Sequence, residues 1–130
     1  MIRQFARVSE CAGNRNEIHG LVGAAFPTGS IKFVSVLGMM AHLKNRGAFP
    51  RCRNVYCSTS GNTGLAAAEV CHKLGLMFHA VVDARIEPEK LEALYESGAT
   101  VSKIDGDVRE RIRVTREIVS HDPAGVDLDQ

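Results

Sequence analysis

NVYCSTSGNTGLAAAEVCHKLG, residues 54–75, reads as a strand, a glycine-rich turn and a helix in immediate succession. Asn54 to Ser58 is a short run of the kind that a parallel sheet buries on both faces. Leu65 to Leu74 is alanine-rich, which favours helix, and Gly75 supplies the stop, because glycine takes a left-handed C-cap without strain. Between them STSGNTG, residues 58–64, sets small side chains, hydroxyls and amides at a helix start. Unpaired N–H groups and the positive end of the helix dipole make such a place attractive to a carboxylate or phosphate. A glycine-rich turn is also a plain structural device, so a second feature must decide between the two readings.

The alternation continues on both sides of this unit. Downstream, Met77 to Val82 is a second apolar strand. Pro88 to Ser97 is a helix carrying Leu91, Leu94 and Tyr95, with Glu87 and Glu89 suiting its first turn and Gly98 ending it. Thr100 to Ile104 is a third strand and Asp105-Gly106 a turn. Val108, Ile112, Thr115 and Val119 then form the apolar face of a last helix. Upstream, Phe33, Val36, Leu37, Met40 and Leu43 recur at helical spacing between Ser30, the expected N-cap, and Gly47. Ile18 to Ala25 reads as a short strand weakened by Gly20 and Gly23. The first 16 residues and the tail after Ser120 carry no periodic element. Strand and helix in strict succession predict a three-layer α/β fold, a parallel sheet with helices on both faces and ligands beyond the carboxyl ends of its strands.

The whole chain has 130 residues and a formal net charge of +1, with 45% hydrophobic and 24% charged residues. That is one domain of ordinary globular composition, with no electrostatic case for nucleic acid or an anionic membrane. Cys11, Cys52, Cys57 and Cys71 show no paired spacing, the amino terminus has no signal-like apolar region, and no apolar run approaches a membrane span. A soluble, cytoplasmic protein with reduced thiols is expected.

The second feature is PTGSIK, residues 27–32. Lys32 falls two residues after Ser30, in the first turn of the predicted helix, where the dipole disfavours a second positive charge. A lysine is a nucleophile only when neutral, and with an ordinary pKa of about 10.4 very little of it is neutral at pH 7. An arbitrary lysine is a solvated surface group. Paired with the anion turn, Lys32 becomes a candidate for covalent chemistry.

Together PTGSIK, STSGNTGLAAAEV, LGLMFHAVVD and LYESGATVSKIDG closely resemble the cysteine synthase group of the fold-type-II pyridoxal-phosphate enzymes, relatives of the tryptophan synthase β chain. The likeness runs from Pro27 onward, and Thr63 after Asn62 favours the cysteine synthase branch over the serine and threonine dehydratases. The resemblance implies that Lys32 forms the Schiff base with pyridoxal 5'-phosphate and moves the substrate α-proton. It implies that Asn62 hydrogen-bonds the cofactor 3'-oxygen, and that Thr59, Ser60, Gly61 and Thr63 hold the α-carboxylate of an amino-acid substrate. The implied reaction is β-replacement on O-acetylserine or a similar activated serine, a transferase or lyase reaction of amino-acid biosynthesis, with no metal.

The chain departs from that pattern in three places. Phe33 stands where relatives carry an acidic residue, GLVGAAF before Pro27 lacks a charged strand ending, and no glycine- and threonine-rich phosphate loop follows Val119. Residues 1–130 are therefore expected to be the amino-terminal part of such an enzyme, with the second, phosphate-cradling domain absent. The complete protein is expected to be a homodimer, with a complementary carboxyl-terminal chain as a candidate partner. Two other readings stay open at this point: a non-catalytic module or half-enzyme, and a flavodoxin-like nucleotide binder using the same turn.

Other residues are read as structural. His19, His42, His72, His79 and His121 lack metal-site spacing. Cys57 suits a small core residue. Arg109, Arg111, Arg113 and Arg116, with Glu110 and Glu117, are taken as a solvated helix surface.

Overall fold

The computed structural model describes residues 5–7, 19–59 and 61–129, with side chains from Val22 onward. β1 (Phe5–Arg7) and β2 (His19–Leu21) form an antiparallel ribbon. The strand expected over Ile18–Ala25 stops at Leu21, and Gly23–Ala25 turns as a short 3-10 helix. The reason is a close approach: a Cβ on Gly23 would stand 2.9 Å from the backbone nitrogen of Ile31.

α1 (Lys32–Asn45), β3 (Asn54–Ser58), α2 (Asn62–Leu74), β4 (Met77–Asp83), α3 (Pro88–Glu96), β5 (Thr100–Ile104) and α4 (Val108–Ser120) follow the predicted order. β6 (Gly125–Asp127) lies in the tail that sequence patterning leaves blank. Three residues are too few to carry a period, so only pairing reveals this strand. The four-stranded sheet runs β5-β4-β3-β6, and each neighbouring pair is parallel. β3 to β4 to β5 steps one way across the sheet. α4 then carries the chain back and sets β6 on the other side of β3, so the order reverses at β3. In sheets of this class the crevice at such a reversal, beyond the carboxyl ends of the strands, is where ligands sit.

One face of the sheet buries Val55, Cys57, Phe78, Ala80 and Val82 against Val36 and Met40 of α1, Ala67, Val70 and Cys71 of α2 and Leu94 of α3. α4 packs on β3, β4 and β6. Helices therefore cover both faces, as the alternating pattern requires. Cys52, Cys57 and Cys71 are free and buried, and burial pushes the Cys71 thiol up to about 12. Near the start of β3, Asp122 accepts hydrogen bonds from Asn54 at 2.7 Å and from the Tyr56 hydroxyl at 2.9 Å. The Tyr56 ring stacks on His79 with centroids 4.5 Å apart. His79 thus has the structural place expected of it, and burial holds its pKa down.

Two expectations for α4 are corrected. Val108 is 57% exposed, whereas Thr115 is buried as expected and the other residue the helix buries is Arg111. Arg111 is not part of a solvated arginine surface: its Nη1 reaches Asp83 Oδ2 at 3.0 Å and the Gly106 carbonyl at 3.4 Å. Asp83, at the end of β4, draws the guanidinium inward and rotates the buried stripe of the helix. Arg113 does remain outside, paired with Glu110 and Glu117.

The pH response of the fold follows from these carboxylates. Hydrogen bonds from the Arg85 backbone and side chain hold Asp83 below the usual carboxylate range, and the Asn54 amide does the same for Asp122. A depressed folded-state pKa gives stability that is complete above the unfolded value of about 3.9 and is lost as pH falls through the folded value. The urea midpoint should hold from neutral pH down to about 5 and drop below about 4. In an Asp122→Asn variant, that acid-side drop should be smaller.

Candidate functional site

The chain enters α1 through a tight turn. The Gly29 amide donates to the Phe26 carbonyl at 2.8 Å, with Pro27 inside the turn and Gly29 at a φ of 64°. Pro27 presets φ, and Gly29 takes a left-handed conformation at little cost. Phe26 anchors the turn, its ring 6.1 Å from that of Phe33. Helix geometry begins at Lys32, one residue later than a Ser30 cap would give. Ser30 still serves the helix start, its Oγ accepting the Lys32 N–H at 3.2 Å. Lys32 is thus the first residue of α1, exposed at its positive end. In the preceding turn Thr28 Oγ1 is buried with no hydrogen-bond partner among the described residues.

The second turn leaves the end of β3 at the reversal point of the sheet. Thr59 is buried, and its N–H donates to the Val81 carbonyl at 3.0 Å. Its Oγ1 accepts the Gly64 N–H at 2.9 Å and the Gly61 N–H at 3.4 Å. A hydroxyl accepting from two amides ties the turn to the first residues of α2 and fixes its curvature. Gly61 sits at a φ of 155°, outside the range of ordinary side chains. Gly64 faces Thr59 so closely that a Cβ would lie 2.6 Å from Thr59 Cγ2. Asn62 opens α2, exposed, with Thr63 half-buried after it. Their N–H groups fall in the first turn, which has no intrahelical acceptors for them.

Of the residues named from sequence, Lys32, Asn62 and Thr63 therefore stand at two helix starts, and Gly61 shapes one of them. Thr59 lies in the same turn with its hydroxyl committed to the turn itself. Ser60 lies outside the described residues. α1 and α2 pack side by side, with Phe33, Met40 and Val70 in the shared core. An apolar groove of about 380 Å³ runs between them, lined by Phe33, Leu37, Met40, Phe49, Val70 and Leu74. The turn residues do not line it.

Two neighbours of the turn were not legible in the sequence. Asp129, just past β6, accepts the Ser58 N–H at 3.1 Å through Oδ2. Lys90 of α3 lays its stem on Gly61, with Cδ 3.1 Å from where a Cβ would be. Both come from elements far along the chain, and only the strand order brings them to β3.

The residues present suit a polar, anionic ligand: a lysine at one helix start, a buried orphan hydroxyl in the turn before it, and first-turn amides at the start of α2. Comparison with known proteins agrees with that chemistry. The family model described as "Pyridoxal-phosphate dependent enzyme" matches residues 23–130. The N-(2-amino-2-carboxyethyl)-L-glutamate synthase of Ralstonia nicotianae is 29% identical over 133 residues, covering 98% of this chain and 39% of that protein. The L-serine dehydratase/L-threonine deaminase of Bos taurus is 30% identical over 117 residues, covering 90% of this chain and 34% of that one. Among solved structures, a hydrogen sulfide-producing enzyme from Fusobacterium nucleatum superposes with a TM-score of 0.78 at 20% identity, over 97% of this chain and 42% of that one. The chain thus spans 34 to 39% of the length of these two relatives.

Gly64→Ala tests how tightly the turn is packed. Overpacking at a closed site costs about 1 to 3 kcal/mol, so the variant should unfold at lower urea. Thr59→Ser removes the clashing methyl and keeps the hydroxyl. The double variant should therefore recover part of the loss, read as a positive coupling between the two positions.

Proposed function

The chain belongs to the family of pyridoxal-phosphate dependent enzymes, and we propose that it is the amino-terminal part of one that performs β-replacement on an activated serine such as O-acetylserine. The observation that carries this reading is the pair of helix starts, Lys32 opening α1 after PTGSI and Asn62 opening α2 after STSG. Thr63 in the second turn favours the cysteine synthase branch of the family.

In this reading Lys32 holds the cofactor covalently through its Nζ. Asn62 donates a hydrogen bond to the cofactor 3'-oxygen. Thr59, Ser60, Gly61 and Thr63 form the cradle for the substrate α-carboxylate: Thr59 fixes the turn from inside, while the amides and the Thr63 hydroxyl face the carboxylate. Holding the carboxylate orients the bond at the α-carbon, a positional contribution independent of any proton transfer. The Lys32 amine would also be the base that takes the α-proton and the acid that returns it. The bound cofactor supplies an electron sink for the charge left at that carbon. The complete enzyme is proposed to be a cytoplasmic homodimer acting on a small amino acid. Among the described residues, no helix is long and apolar enough to cross a membrane.

A second reading is a non-catalytic half that binds a partner chain and has no turnover. The open groove between α1 and α2 supports it, since Leu37 is 40% and Leu74 52% exposed there. Adding the carboxyl-terminal half of a relative and assaying cysteine formation separates the two readings, because turnover in the mixture excludes an inert role.

The leading reading is tested by incubating the chain with pyridoxal phosphate, reducing with borohydride and mapping the adduct by mass spectrometry. The expected label is on Lys32 and disappears in Lys32→Ala. Equal labelling of that variant, or a label on another lysine, removes the basis of the assignment.

A further inference from the structure

α3 (Pro88–Glu96) presents Lys90 and Leu94, one helical turn apart, to the 58–64 turn. Leu94 is fully buried, and its Cδ2 would lie 3.2 Å from a Cβ on Gly64. Lys90 meets Gly61 in the same way, with Cδ, Cε and Nζ at 3.1, 3.4 and 3.8 Å from the place a Cβ would occupy. The two glycines that set the curvature of the turn are therefore each backed by a side chain of one helix.

The two contacts differ in character. Leu94 is a core residue and would support the turn in any packed domain. Lys90 stands at the rim, its side chain 38% exposed, with Nζ 3.0 Å from a Glu87 carboxylate oxygen that is itself well exposed. An exposed ion pair of this kind contributes little by itself. It holds the charged head toward Glu87 while the end of the stem stands against Gly61, the usual division of labour for a long basic side chain. Gly61 has no side chain to lock its conformation and sits at a φ of 155°. Its N–H is held from inside the turn by Thr59 Oγ1 at 3.4 Å, and the Lys90 stem adds a contact from outside it.

We infer that Lys90 is a positioning residue for the 58–64 turn: its aliphatic stem clamps Gly61 and so preorganises the amides that receive the substrate carboxylate. The inference rests on the carboxylate reading of that turn under Proposed function. A loosened cradle must be ordered by the ligand at a cost in affinity, so removing the stem weakens binding without deleting any group that touches the ligand.

The experiment compares the wild-type chain with Lys90→Met, which keeps a long apolar stem, and Lys90→Ala, which does not. In the free protein, amide hydrogen exchange at Gly61 and Gly64 should be faster in Lys90→Ala and near the wild-type rate in Lys90→Met. Amide shifts of the same two glycines are then followed during titration with L-serine, using L-serinamide as the control that lacks a carboxylate. Affinity for L-serine should fall about fivefold or more in Lys90→Ala and stay within about twofold in Lys90→Met. Unchanged exchange in Lys90→Ala overturns the clamp. Equal loss in both variants assigns the effect to charge and overturns it as well. If wild-type protein responds to L-serine no more than to L-serinamide, the carboxylate reading fails and the proposed purpose of the clamp with it, whatever the exchange rates report. Thermal melting of each variant distinguishes a local loosening from loss of the fold.

Discussion

The hydroxyl of Thr59 holds this architecture at its critical bend. β3 must end, reverse toward its covering helix and leave a few amides facing outward, all within the residues between Ser58 and Asn62. A single buried side chain accepting the amides of Gly61 and Gly64 makes that possible. It spends one acceptor on two donors that would otherwise be orphaned, and a buried unpaired amide is costly. Once the bend is fixed, the start of α2 is fixed, and the neighbouring strands and α3 are packed to it. The glycines follow from the same constraint. Gly64 leaves room for the Thr59 methyl, and Gly61 takes a backbone conformation that no larger residue holds at ease.

Much of this could be read from residue order alone, for identifiable reasons. The strands β3 and β4 are largely apolar runs, β5 is a short segment set between Gly98 and Asp105-Gly106, and the helices α1 to α3 have clear starts and stops, so local chemistry suffices for them. The two turns were legible because glycine, proline and small hydroxyl residues crowd at a helix start. What escaped was decided by partners distant in sequence. β6 is a strand only because β3 offers it an edge. Arg111 is buried only because Asp83 stands at the end of β4. Val108 looks like part of an apolar stripe until that ion pair rotates the helix. The contacts of Lys90 and Asp129 with the turn likewise depend on strand order, which no short-range signal encodes.

The two ends of the sheet have been given different work. Near the start of β3, Asn54, Tyr56, His79 and Asp122 form a closed set of mutual hydrogen bonds and stacking. Burial and the Asp122 contact push the Tyr56 hydroxyl up to about 12, so it stays a neutral donor across the physiological range. At the opposite end, amides and short polar side chains are left at a helix start, and the groups around them come from four different elements. Such a division is physically coherent. Hydrogen bonds to Asp122 and the Tyr56–His79 stack stiffen the first end, although His79 Nε2 is left without a partner among the described residues, while first-turn amides of α2 stay uncommitted at the other.

The late position of β6 has a consequence for how the chain comes into being. Asn54 pairs with Gly125, 71 residues further on, so on a ribosome β3 exists before its second neighbour does. At about 5 to 20 residues per second, that interval lasts several seconds. During it one side of the central strand has backbone donors and acceptors without their final partner, the condition that invites strands from other chains. Nascent-chain protection during synthesis, rather than the finished structure, is what must guard this protein against sticking to its own copies.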